Sequence, residues 1–235
     1  MLERFYFTLL FAGLFSASVV SAQTPSPTAS PAKPEAAKIN SRPSPTPVIS
    51  VEPYDKADVK TMAAKCVRLE TEAGDIEMEL YPESAPETVR NFLNLTAIGA
   101  YDTTTFSRVV PGFVIQGGNI WTRDGGVPRD LNQRARRPLH DEPNRILHER
   151  GIVSMARTDE PNSATTHFFI LVDAAPSLDG SFAAFGRVTK GMDVVDAINK
   201  MPVEGDKPVK PVRLKKVIIQ ACAPPIVPPP PAKAQ

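Results

Sequence analysis

FSRVVPGFVIQGGN, residues 106–119, sets two apolar runs on either side of Pro111-Gly112 and ends on a pair of glycines. FSRVV (106–110) and FVIQ (113–116) have strand length, carry β-branched and aromatic residues and are bounded by turn formers, which predicts two short strands. The pattern continues in both directions. Upstream, CVRLET (66–71) alternates weakly and DIEMELY (75–81) alternates well, with Ile76, Met78 and Leu80 on one face and Ala73-Gly74 as a hairpin turn between the two. Downstream come GIVSMA (151–156), HFFILV (167–172), AAFGRV (183–188) and VRLKKVIIQA (212–221). Eight short strands separated by Gly/Pro/Asp-rich turns predict a closed or nearly closed barrel, in a domain that is α+β or mainly β. Two segments have helical spacing instead. One follows Ser84-Ala85-Pro86-Glu87, where a small polar residue precedes a proline suited to the first turn, and runs through Val89, Phe92, Leu93 and Thr96 to Gly99. The other covers Met192 to Asn199, with Met192, Val195 and Ile198 three apart. Both are short and one-sided, as helices capping the open ends of a barrel would be.

The ends of the chain read differently. Residues 1–22 hold Arg4, an apolar run from Phe5 to Val20 and then Ser21-Ala22, the pattern of a secretory signal peptide cut after Ala22. The alternative is an uncleaved anchor, but the uninterrupted stretch Phe5 to Phe15 is short of the roughly 20 residues that a bilayer core requires. Residues 23–62 carry prolines at 25, 27, 31, 34, 43, 45, 47 and 53 and little apolar bulk, which predicts a disordered, partly extended linker. The proline-rich tail, 223–235, reads the same way. Residues 63–222 then form one domain, long enough for a sizeable core.

A formal charge of +1 gives no electrostatic case for nucleic acid or an anionic membrane as a partner. One basic cluster, Arg134, Arg136 and Arg137, reads as a solvated loop. The three histidines (His140, His148, His167) are scattered and the two cysteines, Cys66 and Cys222, stand far apart, so no metal site is predicted. Phosphate-binding and dinucleotide-binding glycine motifs are missing from the sequence, and no cofactor is expected.

The motifs point to one family. In 106–119, Arg108, Pro111, Gly112, Phe113, Gln116, Gly117 and Gly118 fall at the spacing of the central signature of cyclophilins, which the stretch resembles. GIVSMARTDEPNSATTHFFILV (151–172) resembles the second signature, and its MART…SAT…FF wording is similar to the bacterial exported branch. ELYPESAPETVRNF (79–92), LDGSFAAFGRV (178–188) and GMDVVDAI (191–198) match in order and spacing, so the resemblance covers nearly the whole domain. It implies an eight-stranded antiparallel cyclophilin-like barrel capped by two short helices. The activity implied is peptidyl-prolyl cis-trans isomerisation on proline-containing polypeptides, here during the folding of exported, periplasmic or secreted proteins.

That chemistry suits these residues. A peptide bond to proline is a tertiary amide whose cis and trans forms are close in energy, separated by a resonance barrier of about 18–20 kcal/mol. Nothing covalent need form, so a catalyst needs only to hold the ring, favour the twisted amide and donate to its nitrogen. Arg108, permanently charged with donors in a fixed fork, is the candidate catalytic residue. By the resemblance, Phe113, Val114, Phe169 and Leu178 form the proline pocket, Gln116 orients beside Arg108, and Ala156 and Arg157 bind substrate backbone. Phe168, next to Phe169 on a strand, faces the other way into the core.

Four positions depart from the family. Ser107 stands where the family has a histidine, His167 where it has a glutamine, Ser177 at an aromatic position and Phe182 at a second pocket histidine. Ser107 removes a pocket wall or hydrogen-bond partner, Phe182 restores apolar surface, and the His167 ring is expected to titrate near neutral pH and to alter substrate choice. Ser177 implies weak cyclosporin binding. These losses leave open a non-catalytic module, a chaperone or assembly factor that binds proline peptides without turning them over. In the family the first and last strands are antiparallel neighbours. The resemblance thus implies a tentative Cys66–Cys222 disulfide in an oxidising compartment, with two free thiols as the alternative.

Overall fold

Eight strands form a single antiparallel sheet, in the order β10-β1-β2-β7-β5-β6-β4-β3, in a computed structural model that describes residues 51–222. They are β1 (Lys65–Thr71), β2 (Gly74–Leu80), β3 (Arg108–Val110), β4 (Val114–Gly117), β5 (Ile152–Met155), β6 (Phe168–Leu171), β7 (Ala184–Lys190) and β10 (Leu214–Ala221). Each predicted strand corresponds to one of these to within a few residues at its ends. The sheet curls until its two end strands meet. Phe106 donates its N–H to the Val212 carbonyl (2.9 Å) and Leu214 donates to that of Thr104 (2.7 Å), which joins the lead-in of β3 to the start of β10. A two-residue pair, β8 (Val203–Glu204) with β9 (Lys207–Pro208), forms a hairpin outside the main sheet.

Among the described residues there are four α-helices rather than the two predicted: α1 (Val59–Ala63), α2 (Pro86–Ala97), α3 (Arg129–Arg134) and α4 (Met192–Asn199). Pro86 opens α2 as its sequence requires, but Ala85 is the N-cap and supplies no side chain. The Glu142 carboxylate caps the helix from a distance instead, accepting from the Glu87 and Thr88 N–H groups at 3.0 and 2.7 Å. A carboxylate there satisfies two orphan donors and complements the helix dipole.

Residues 51–62 are not linker-like, which moves the ordered boundary upstream of Ala63. Met62 is fully buried, and Arg90 of α2 donates to the carbonyls of Tyr54 and Ala57 at 2.7 and 2.6 Å. Tyr54 N–H in turn donates to Asn94 Oδ1 at 2.7 Å. Glu52 makes a two-pronged pair with Arg134, both almost wholly buried, so Arg134 is no solvated loop residue. Proline content concealed this anchoring. The segment 1–22 predicted as a signal peptide, the rest of the chain before 51 and the tail from 223 lie outside the described residues.

Cys66 and Cys222 are joined by a disulfide, with Cα atoms 4.8 Å apart, where the start of β1 lies beside the end of β10. A closed loop of that length restricts the unfolded chain by roughly 5 kcal/mol on the chain-entropy account.

The apolar residues fall into two clusters on the two faces of the curled sheet. The inner one holds Ile115, Val153, Phe168, Ile170 and Phe185 with α2, its aromatic rings 5.1–5.7 Å apart. The outer one holds their strand neighbours Val114, Ile152, Phe169, Leu171 and Ala184. With both faces covered, β5 and β6 are buried at every residue, which is why HFFILV reads as a continuous apolar run rather than an alternation.

Candidate active site

The outer cluster stops short of closing. Against it lies a pocket of ≈ 150 Å³ lined by Arg108, Phe113, Val114, Gln116, Ala156, Arg157, Phe169, Leu178 and Phe182. All nine were singled out by the sequence. Ser107 and His167 were too, but they do not line it. Ser107 precedes β3 and donates its N–H to the Gln116 carbonyl at 3.0 Å. His167 precedes β6 and its ring stacks on Trp121, centroids 6.4 Å apart.

Strand register makes the pocket. Arg108 on β3 is directly opposite Gln116 on β4, and Gln116 is opposite Phe169 on β6, so the three side chains stand in a row on one face. Phe113 projects from the turn between β3 and β4. There Phe113 N–H donates to the Val110 carbonyl (3.0 Å), with Pro111 and Gly112 at the turn centre. Gly112 has φ +73°, which a proline-glycine type II turn demands and other residues resist. Phe182 and Leu178 come from the far wall, a 3-10 turn (Pro176–Leu178) and the segment after it. The Phe182 ring meets Phe169 edge-on at 6.0 Å and carries the Arg157 guanidinium 5.0 Å from its centroid.

Arg108 is oriented from both sides. Its Nε donates to Asp206 Oδ2 at 2.7 Å, and its Nη1 lies 3.4 Å from Gln116 Oε1, a weak hydrogen bond. Asp206 sits in the β8–β9 turn and its carbonyl accepts the Val109 N–H (2.8 Å), so that hairpin is docked on β3. A charge-assisted bond at Nε fixes the plane of the guanidinium and leaves its Nη end over the pocket.

Sequence reasoning missed this carboxylate, and it missed Asn199. That buried side chain, at the end of α4, accepts from Gly112 N–H (2.8 Å) and donates to the carbonyls of Val110 (2.9 Å) and Val114 (3.0 Å). It therefore holds the turn that presents Phe113. Behind the pocket, buried His148 lies 3.1 Å from Asp179 Oδ1 and 3.0 Å from Ser154 Oγ. The resulting chain ties the Leu178 turn to β5. Ser154 is fully buried, so this is a brace and not a nucleophile.

Burial lowers the His167 imidazole below its ordinary range. Desolvation of the partly buried ring thus favours its uncharged form.

No pocket-lining side chain is a hydroxyl, thiol, imidazole or carboxylate, so the geometry suits a reaction without covalent catalysis. An oriented arginine stands above a small apolar recess on the outer face of the curled antiparallel sheet, a combination that suits an enzyme acting on a compact apolar group without a covalent intermediate. The model for the cyclophilin type peptidyl-prolyl cis-trans isomerase/CLD family matches residues 66–219, and the chain belongs to that family. The chain is 38% identical over 181 residues to peptidyl-prolyl cis-trans isomerase A of Dickeya dadantii, covering 74% of this chain and 91% of that one. It is 37% identical over 172 residues to a peptidyl-prolyl cis-trans isomerase of Acinetobacter baylyi, covering 68% and 88%. Among solved structures, a Cryptosporidium parvum cyclophilin type isomerase, crystallised in the presence of the dipeptide Ala-Pro, superposes with a TM-score of 0.59. It is 30% identical, and the match covers 67% of this chain and 99% of that one.

Proposed function

We propose that this isomerase uses Arg108 to stabilise the twisted X-Pro amide while the proline ring occupies the recess between Phe113 and Phe169, and that its substrates are exported polypeptides. The observation that carries the mechanism is the guanidinium clamped by Asp206 and Gln116 above that recess. As the amide twists, its nitrogen regains a lone pair, and a donor already in place needs no reorganisation at that moment. Arg108 is partly exposed, its side chain at 42%; substrate lying over it would exclude water and strengthen the interaction. Ala156 and Arg157, on the rim, are placed for the backbone of that substrate. Ser177, small and exposed beside Leu178, offers a large macrocycle little apolar contact, which carries weak cyclosporin binding.

An isomerisation assay on an X-Pro peptide tests the mechanism. Arg108→Ala should lower kcat/KM about 100-fold with the circular dichroism spectrum unchanged. Equal rates in variant and parent would discard the assigned role. Export is supported by the pattern of residues 1–22 and by a disulfide of the kind that persists in oxidising compartments. N-terminal sequencing of the chain recovered outside the cytoplasm should begin at Gln23. Recovery of the full-length chain in the cytoplasm alone would refute that part.

A further inference from the structure

Trp121 is 47% exposed, yet it is held in a fixed orientation. Its ring stacks on His167 at 26° and its Nε1 donates to Asn132 Oδ1 at 3.3 Å. On the same indole rests Arg136, its guanidinium carbon 6.0 Å from the ring centroid. Arg136 has no carboxylate within ion-pair distance among the described residues; its Nε donates only to the neutral Asn132 Oδ1, at 3.4 Å. A rigid aromatic plane and an uncompensated cation thus share one exposed surface.

His167 links that surface to the strand that lines the pocket. His167, just before β6, is two residues from Phe169; its carbonyl accepts the Ala156 N–H at 2.9 Å, which carries the extended pairing to that point and sets the two side chains on the same side by strand alternation. Two residues of strand and the 6.4 Å stack put the indole roughly 13 Å from Phe169, the reach of three or four extended residues.

We propose that Trp121 and Arg136 form a distal subsite that selects an acidic side chain, glutamate best, three or four residues from the isomerised proline. The aliphatic stem lies on the indole and the carboxylate meets the guanidinium. This deepens the reading of the pocket as the proline site and rests on it. An acidic partner follows from the unpaired Arg136, with Arg137 beside it exposed as well.

The test uses the full chain and tryptophan-free peptides with one proline and a Glu or Lys pair three and four residues away, on either flank. Trp121 is the only tryptophan, so its emission reports binding at this place whether or not turnover occurs. On one flank the Glu peptide should bind and turn over about fivefold better than the Lys peptide, with its binding changing the emission. The preference should shrink at high salt and invert in Arg136→Glu. Equal affinity for both peptides on both flanks, or a preference that survives Arg136→Glu, overturns the subsite. Charge-dependent binding without isomerisation of any peptide would count against the catalytic reading while leaving the subsite standing.

Discussion

Phe168 and Phe169 are adjacent on β6, yet they belong to regions with opposite requirements. Phe168 is fully enclosed, edge-on to Phe92 and Tyr101, and every apolar neighbour it needs comes from the chain itself. Phe169 has an aromatic partner on one side, Phe182, and open pocket on the other. The inner cluster is complete. The outer one is left open where the proposed proline ring would sit, and this difference separates residues that hold the fold from residues proposed to bind substrate.

Truncating each phenylalanine breaks the comparison most directly. Phe168→Ala leaves a sealed void and should cost about 3–5 kcal/mol of stability in denaturant unfolding. Phe169→Ala widens a cleft already open to water, so only the transfer contribution is lost, about 1.5–3 kcal/mol. Catalysis should run the other way: kcat/KM falls at least about tenfold in Phe169→Ala, and less in folded Phe168→Ala. Phe168→Leu provides the same contrast should the alanine variant fail to fold. The inside-outside division is wrong if the stability and activity losses fall on the same residue.

A second variant asks what closes the inner cluster. Tyr54, Ala57 and Met62 pack against it, and the Glu52–Arg134 pair secures that segment. Removing one partner of a buried ion pair leaves the other charge uncompensated, so Glu52→Ala should destabilise by about 3 kcal/mol while leaving kcat/KM of the folded chain within about twofold, roughly 0.4 kcal/mol of barrier. An activity loss matching that of Phe169→Ala would mean that the segment serves the outer site after all.

The inner and outer faces were not equally legible. Alternation exposes a strand whose two faces differ, as in DIEMELY, and the turn chemistry of Pro111-Gly112 is local; both were readable. The pocket lining was named through the resemblance of short motifs to the cyclophilin signatures, and strand register then brings those motifs together. The groups that orient this lining were not. Asp206 reaches Arg108 across 98 residues and Asn199 reaches Gly112 across 87, and neither stands in a local pattern that marks it. Glu52 and Tyr54 follow a proline-rich stretch with no period of two or 3.6, so their anchoring depends wholly on partners in α2 and α3. What strand and turn chemistry dictates locally was legible, whereas pairings made only by the folded chain were hidden.

The smallest expected effect concerns His167, at the margin between the two regions. Burial against Trp121 holds its imidazole below the ordinary value of about 6.5. Above that value the ring is neutral whether the chain is folded or unfolded, and it contributes no pH dependence. As pH falls below it, the unfolded chain binds a proton that the folded chain refuses, so stability declines until the lowered folded value is passed. Other groups titrate over the same range, so the informative quantity is a difference between two proteins. His167→Gln keeps a polar side chain of similar reach but cannot titrate. The denaturation midpoint of the parent should therefore fall more steeply on acidification than that of His167→Gln, with the two curves parallel above neutrality. If they remain parallel throughout, or the variant is the steeper, the ring is not buried against Trp121 as described, and the outer face ends at Phe169.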